Sequence, residues 1–124
     1  AEKIWNTAKQ CEGLRVPSIL KHIEHAVYKC YVFVRLDKLD KDWCRDRIIR
    51  EINALGVPCY SGSCSEVYLE KAFDNTGFRP KERLPNAKEL GESSLTFLVH
   101  PTLTEDEIKQ TCDAITSTME LATK

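Results

Sequence analysis

Ser94-Leu95-Thr96-Phe97-Leu98-Val99-His100-Pro101-Thr102-Leu103-Thr104-Glu105-Asp106-Glu107 holds a strand, a break and a helix start in one short run. Leu95, Phe97 and Val99 recur at every second residue, the period of a strand with one face on a core, which predicts a strand over Ser94 to Val99. His100-Pro101 must leave the sheet, because proline has no amide hydrogen to give to a ladder. Thr104 followed three residues later by Glu107 is a capping box: the hydroxyl accepts from the third helical amide while the glutamate reaches back. Ile108, Cys112, Ile115, Met119 and Ala122 then follow at helical spacing, so a helix runs from Thr104 to the end. A half-buried strand and an amphipathic helix in succession hide their apolar faces by packing on one another, which gives a two-layer α+β domain.

Upstream the same periods repeat. Ile4, Ala8 and Cys11, with Trp5 beside them, predict a short helix over residues 2–12 that stops at Gly13. From Tyr28 to Leu36, Cys30/Val32/Val34/Leu36 alternate with Tyr31/Phe33/Arg35. This strand is apolar on both faces and therefore central. Asp40 or Asp42 is suited to cap a helix lined by Trp43, Ile48, Ile52 and Leu55 and closed by Gly56. Val57 to Ser61 reads as a short strand whose Pro58 demands an edge or a first position. The middle third is irregular. It holds a small polar stretch from Ser61 to Ser65, a helical turn through Val67 to Phe73, a loop with Gly77 and Pro80, and a brief helix from Pro85 to Gly91. The sum is a single domain, residues 1–124, with a small, mainly antiparallel sheet and helices packed on it.

Composition narrows the function classes. Eighteen basic and nineteen acidic residues leave a net charge of −1. Neither sign forms the block that attracts nucleic acid or acidic lipid. The apolar runs are far shorter than the roughly 20 residues of a membrane span. With a charged start and no export signal, the six cysteines read as reduced thiols of a cytoplasmic protein. The uncapped beginning at Ala1 points to a sequence that starts inside a longer one.

No complete catalytic motif is present. His22, His25 and Cys30 lack a fourth ligand, and neither Cys-x-x-Cys nor His-Glu-x-x-His occurs, so His25 is read as a hydrogen-bonding residue at a strand entrance and the chain as without a metal site. Ser61-Gly62-Ser63 is not a full nucleophile elbow, and no glycine-rich loop cradles phosphate. Cys59 reads as a small buried hydrophobe.

Three stretches together resemble the small domain of the fold-type-I sugar aminotransferases of the DegT/DnrJ/StrS group. They are His25-x-x-Tyr28-x-x-Tyr31-Val32-Phe33-Val34, then Arg45-Asp46-Arg47-Ile48-Ile49-x-x-Ile52-x-x-x-Gly56-Val57-Pro58, and Leu84-Pro85-x-Ala87-x-x-Leu90 followed by Ser94-Leu95-x-Phe97-Leu98-Val99-His100-Pro101-x-Leu103-Thr104. The resemblance implies a C-terminal domain that shapes the substrate cleft of a homodimeric, pyridoxal-phosphate-dependent enzyme. That enzyme moves an amino group, typically from glutamate, to a nucleotide-linked sugar of polysaccharide biosynthesis. Residues 1–13 would lead from a large domain, absent from this chain, that carries the Schiff-base lysine and the acid facing the pyridine nitrogen. Lys29, Lys38, Lys71 and Lys88 all stand in charged, solvated contexts, so this part alone is expected to bind no cofactor and to be inert.

The resemblance places Tyr60, Ser61, Gly62 and Ser63 on the substrate side of the cleft, with hydroxyls suited to sugar or phosphate oxygens, and adds His100 at the strand end. Family members commonly carry His-Tyr after the Gly-Ile strand where this chain has Cys59-Tyr60, and an aromatic residue where it has His100, so substrate identity diverges here. Tyr28 and Tyr31 are read as packing residues. The competing reading of the same elements is a stand-alone, ferredoxin-like module that binds a small molecule.

Overall fold

The computed structural model describes residues 1–123. Its elements are α1 (Glu2–Gln10), β1 (Leu14–Arg15), β2 (Cys30–Val34), α2 (Arg45–Ala54), β3 (Cys59–Tyr60), α3 (Pro85–Ser93), β4 (Ser94–Phe97) and α4 (Glu105–Ala122). The four strands form one antiparallel sheet in the order β1-β2-β4-β3. This is the α+β architecture expected. Its order differs from the β-α-β-β-α-β succession of a ferredoxin-like module.

Register explains how the sheet serves two purposes. Leu14 pairs with Val34, Val32 with Leu95, and Cys30 and Cys59 both with Phe97. Directly opposed residues point to the same side of a sheet. One face is therefore a continuous apolar sheet, and every one of those side chains is buried. Against it lie Ile4 and Ala8 of α1, Ile48 and Ile52 of α2, and Ala114, Ile115, Met119 and Ala122 of α4, with α4 packing on both other helices. Burying each of the larger side chains contributes about 1.5–3 kcal/mol, so this layer carries most of the domain's stability. The opposite face presents Arg15, Phe33, Tyr31, Ser94, Thr96 and Tyr60.

The last helix begins at Thr104, whose hydroxyl accepts from the Glu107 amide at 3.2 Å while a Glu107 carboxylate oxygen accepts from the Thr104 amide at 2.7 Å. The capping box is formed as the sequence specified. Gly13 lets the turn between α1 and β1 run close to the end of α4, since a Cβ there would lie 2.6 Å from both Met119 and Thr123 side-chain atoms.

Several boundaries differ from expectation, each for a physical reason. The strand β1 has no sequence signal, because two residues carry no periodicity; it exists by pairing with β2. β2 is shorter than Tyr28–Leu36, and Leu36 already opens a 3₁₀ turn with Asp37 and Lys38. β4 ends at Phe97 instead of Val99. Neither Asp40 nor Asp42 caps α2. Its N-cap is Cys44, with no side-chain bond, because Asp40 is held in a preceding turn by its amide bonding to the Ala122 carbonyl (2.8 Å) and its carbonyl accepting from the Trp43 amide (2.9 Å). Trp43 thus lies outside the helix, where its ring receives the Arg47 guanidinium at 4.2 Å. Leu55 is half-exposed at the helix end. Gly91 does not end α3, which continues to Ser93. Its missing side chain instead admits Ser65, whose Oγ lies 2.6 Å from where a Cβ would stand.

All six cysteines are free. Cys30 and Cys59 lie in the core, where burial pushes their thiols up to about 11 and about 12. They act as compact hydrophobes, as Cys59 was expected to. At mildly alkaline pH, iodoacetamide followed by mass spectrometry should label the exposed Cys44 and Cys64 first and reach Cys30 and Cys59 only once denaturant is added. Labelling of all six at one rate would contradict this core.

Candidate functional site

The sheet face opposite the helices is only partly covered. Beyond Tyr60 the chain turns back over it at Gly62, whose φ of +86° is left-handed and whose Cβ, if present, would stand 2.7 Å from the Tyr31 ring, 3.1 Å from Thr96 Oγ1 and 3.2 Å from Ser94 Oγ. Only glycine meets both conditions. The turn is held down by Ser94 Oγ donating to the Ser61 carbonyl at 2.6 Å. It is held again by a small polar knot in which Lys29 Nζ donates to Ser63 Oγ (3.0 Å), the Tyr31 phenol donates to the same oxygen (3.1 Å), and the Ser63 amide donates to the phenol oxygen (3.2 Å). Hydrogen bonding with the Ser63 side chain is the main reason the Tyr31 phenol sits below its usual value, and the Ser63 amide, donating to the phenol oxygen, and the Lys29 charge add to it.

Beside this turn opens a cleft of about 700 Å³, between the entry to β2 and the end of β4. Tyr28, Lys29, Tyr60, Gly62, Thr96 and His100 supply its aromatic and polar lining. Tyr28 is 87% exposed and Tyr60 54% exposed, so both rings stand free at the rim. The floor is different. Thr96 is buried, and its Oγ1 has no hydrogen-bond partner. His100 Nδ1 is paired with Thr102 Oγ1 at 2.7 Å, which orients the ring where the chain leaves β4.

Of the residues singled out from sequence, Tyr60, Gly62 and His100 come together around the cleft, whereas Ser61 and Ser63 do not line it. Both serines act behind the wall, Ser61 through its carbonyl and Ser63 through Tyr31 and Lys29. Sequence reasoning missed three lining residues. Tyr28, read as a packing residue, stays outside the core because β2 begins only at Cys30, and its ring has the Lys29 ammonium 6.0 Å from its centroid. Lys29, read as solvated surface, is exposed but turned to the cleft by Ser63. Thr96 carried one available signal, a hydroxyl at the centre of an apolar strand. Tyr31 does pack, stacked on Phe33 with centroids 6.1 Å apart, and Arg15 lies 4.4 Å from the Phe33 centroid. His25 bonds as expected at the strand entrance, accepting from the Val27 amide at 2.9 Å.

As a seat for pyridoxal phosphate the cleft does not suffice. Its lining includes one lysine and no carboxylate to pair with a pyridine nitrogen. Among the described residues no group of three metal-ligating side chains converges, and no helix is long and apolar enough to cross a membrane.

Comparison with known proteins places the fold. An aminotransferase from Psychrobacter cryohalolentis is 59% identical and superposes with a TM-score of 0.90 over 96% of this chain, which spans 32% of that protein. A DegT/DnrJ/EryC1/StrS aminotransferase from Brucella abortus shares the fold at a TM-score of 0.67 and 18% identity, covering 94% of this chain and 30% of its own. An uncharacterized protein of Methanocaldococcus jannaschii is 25% identical over 114 residues, 91% of this chain and 29% of that protein. No protein-family model matches the chain. The class is thus an α+β domain of the kind found in aminotransferases. Within it, the chain shares its fold with a DegT/DnrJ/EryC1/StrS aminotransferase, and it spans about a third of the length of the aminotransferases it matches.

Two outcomes follow from the turn. Gly62→Ala should cost roughly 1–3 kcal/mol in urea unfolding, from strain in φ and from the displaced Tyr31 ring; an unchanged midpoint would mean that the turn does not press on the sheet. Ser63→Ala should raise the Tyr31 phenol toward its ordinary value, seen as a phenolate absorbance titration shifted to higher pH by comparison with Tyr31→Phe.

Proposed function

We propose that this chain is the C-terminal small domain of a pyridoxal-phosphate-dependent transaminase acting on nucleotide-linked sugars in polysaccharide biosynthesis, and that its cleft is one wall of the substrate site. The observation that carries the reading is the 59% identity to an aminotransferase along 96% of the chain. The sugar-nucleotide substrate, the glutamate donor, the cytoplasmic location and the homodimeric parent are part of the proposal, drawn from the family resemblance. Residues 1–13 would connect to a large domain that contributes the Schiff-base lysine and the acid at the pyridine nitrogen. The cofactor, when bound there, supplies the electron sink for amino transfer.

The work of this chain's own residues is then binding and orientation. Tyr60 and Tyr28 offer flat apolar surface and phenol hydroxyls to a ring that carries oxygens. His100 and Lys29 both line the same cleft and bring it donors suited to sugar hydroxyls or phosphate. Gly62 lets the wall approach closely, while Ser61 and Ser63 hold it in place. Closing such a wall over a substrate excludes water and fixes its orientation, and both raise the rate without any group here reacting.

The test uses the full reading frame. The purified protein should show a visible cofactor band that shifts when glutamate is added, and should transfer nitrogen to a 3-keto or 4-keto sugar nucleotide. Tyr60→Phe with His100→Ala should raise KM for the sugar on the order of tenfold, about 1.4 kcal/mol of binding, with kcat changed much less. A full-length protein that binds no pyridoxal phosphate would sink the proposal, and an equal fall in kcat with KM unmoved would remove these residues from substrate binding.

A further inference from the structure

Just before the sheet the chain bends sharply at Val27, whose φ of +45° lies in the left-handed region, and β2 then opens at Cys30. Only Tyr28 and Lys29 lie between. The bend and the first rung of the sheet therefore set together where those two cleft residues stand. A left-handed backbone suits glycine. In a β-branched residue the Cβ crowds the following carbonyl, and the conformation persists only where its surroundings hold it.

His25 holds it. The imidazole Nδ1 accepts from the Val27 amide at 2.9 Å, a bond that needs the ring proton on Nε2 so that Nδ1 can offer its lone pair. The ring is steadied in turn from α1. The Trp5 indole meets the imidazole at 77°, with centroids 6.2 Å apart, and its Nε1 donates to the Tyr31 carbonyl at 2.9 Å. β1 pairs with β2 only at Val34 and Phe33, which leaves the Tyr31 carbonyl for Trp5. Trp5 thus joins the imidazole to the backbone of β2, one residue past Cys30. On the other side of the bend, Lys29 Nζ reaches Ser63 Oγ at 3.0 Å and lies 6.0 Å from the Tyr28 centroid. A change at Val27 would shift both groups together. His25 itself is not part of the cleft lining, so any effect it has on a ligand passes through this bend.

We infer that His25 is a positioning residue for the substrate wall: by holding Val27 in its left-handed turn it sets Tyr28 and Lys29 at the cleft without touching the substrate. This rests on the reading of the cleft as part of a transaminase's substrate site.

The test uses the full-length enzyme with a keto sugar nucleotide, and neither His25 nor Val27 belongs to the buried core, so their variants leave it filled. His25→Ala removes the acceptor. It should raise KM for the sugar about fivefold with kcat held within about twofold. Hydrogen exchange read by mass spectrometry should also become faster in the peptide spanning Val27 to Cys30. His25→Asn should restore both, because an asparagine side-chain oxygen accepts from the amide two residues on in the same kind of turn. Adding Val27→Gly to His25→Ala should bring KM back toward the parent value, since glycine takes the left-handed turn unaided. A KM that stays high in that double variant would overturn the inference, because His25 would then act by touching the substrate or by loosening the domain at large. A raised KM without faster exchange would overturn it too. If the full-length protein lacks transaminase activity while His25→Ala still speeds exchange at the bend and His25→Asn restores it, the positioning stands and the proposed function falls. An active enzyme whose KM is indifferent to His25→Ala keeps the proposed function and loses the inference.

Discussion

The antiparallel register of β2 on β4 sets every other position in this domain. Cys30 opposite Phe97 and Val32 opposite Leu95 turn one face of the sheet wholly apolar, and that face has to be covered. Helices α1, α2 and α4 cover it. A slip of one residue would bring Tyr31, Phe33, Ser94 and Thr96 to the helices and send the apolar set to the other side, so burial itself enforces the register. The same alternation that builds the core therefore delivers a polar and aromatic second face, and that face becomes the cleft wall.

That second face is shaped by close approach more than by charge. Gly62 sits where any side chain would collide with Tyr31, Thr96 and Ser94, and the two serines beside it act as fasteners. Their polar groups are engaged inside the protein. This explains why the polar run Ser61-Gly62-Ser63, which as bare sequence suggests a ligand-binding loop, contributes one lining residue while its neighbour Tyr60 and the distant Tyr28, Lys29, Thr96 and His100 contribute the other polar and aromatic groups. The irregular segment from Cys64 to Leu84 follows another logic, with Arg79 and Arg83 bonded to its backbone carbonyls and carboxylates. Order of that kind leaves no hydrophobic period to read.

Much of the fold was legible because it rests on local rules. The capping box at Thr104 and Glu107, proline at the first turn of α3, and the alternation through β2 and β4 each follow from a residue type at a fixed spacing. What escaped was non-local. The two residues of β1 become a strand only beside β2, and Cys44 replaces the aspartates as the α2 cap because Asp40 is engaged with the end of α4. In the site, Tyr60, Gly62 and His100 were found by family pattern, whereas Lys29 and Thr96 lie far apart along the chain and meet only across the sheet.

By itself, then, the sequence determined the periods, caps and breaks, and with them the α+β class and the resemblance to an aminotransferase domain, because these depend on residues within a turn or two of one another. Tertiary structure alone decided that both serines face neighbours in the protein and not the cleft, and where the exposed tyrosines stand. The placing of the serines depends on distances between residues thirty or more positions apart, such as Lys29 and Ser63, and no local pattern encodes such distances.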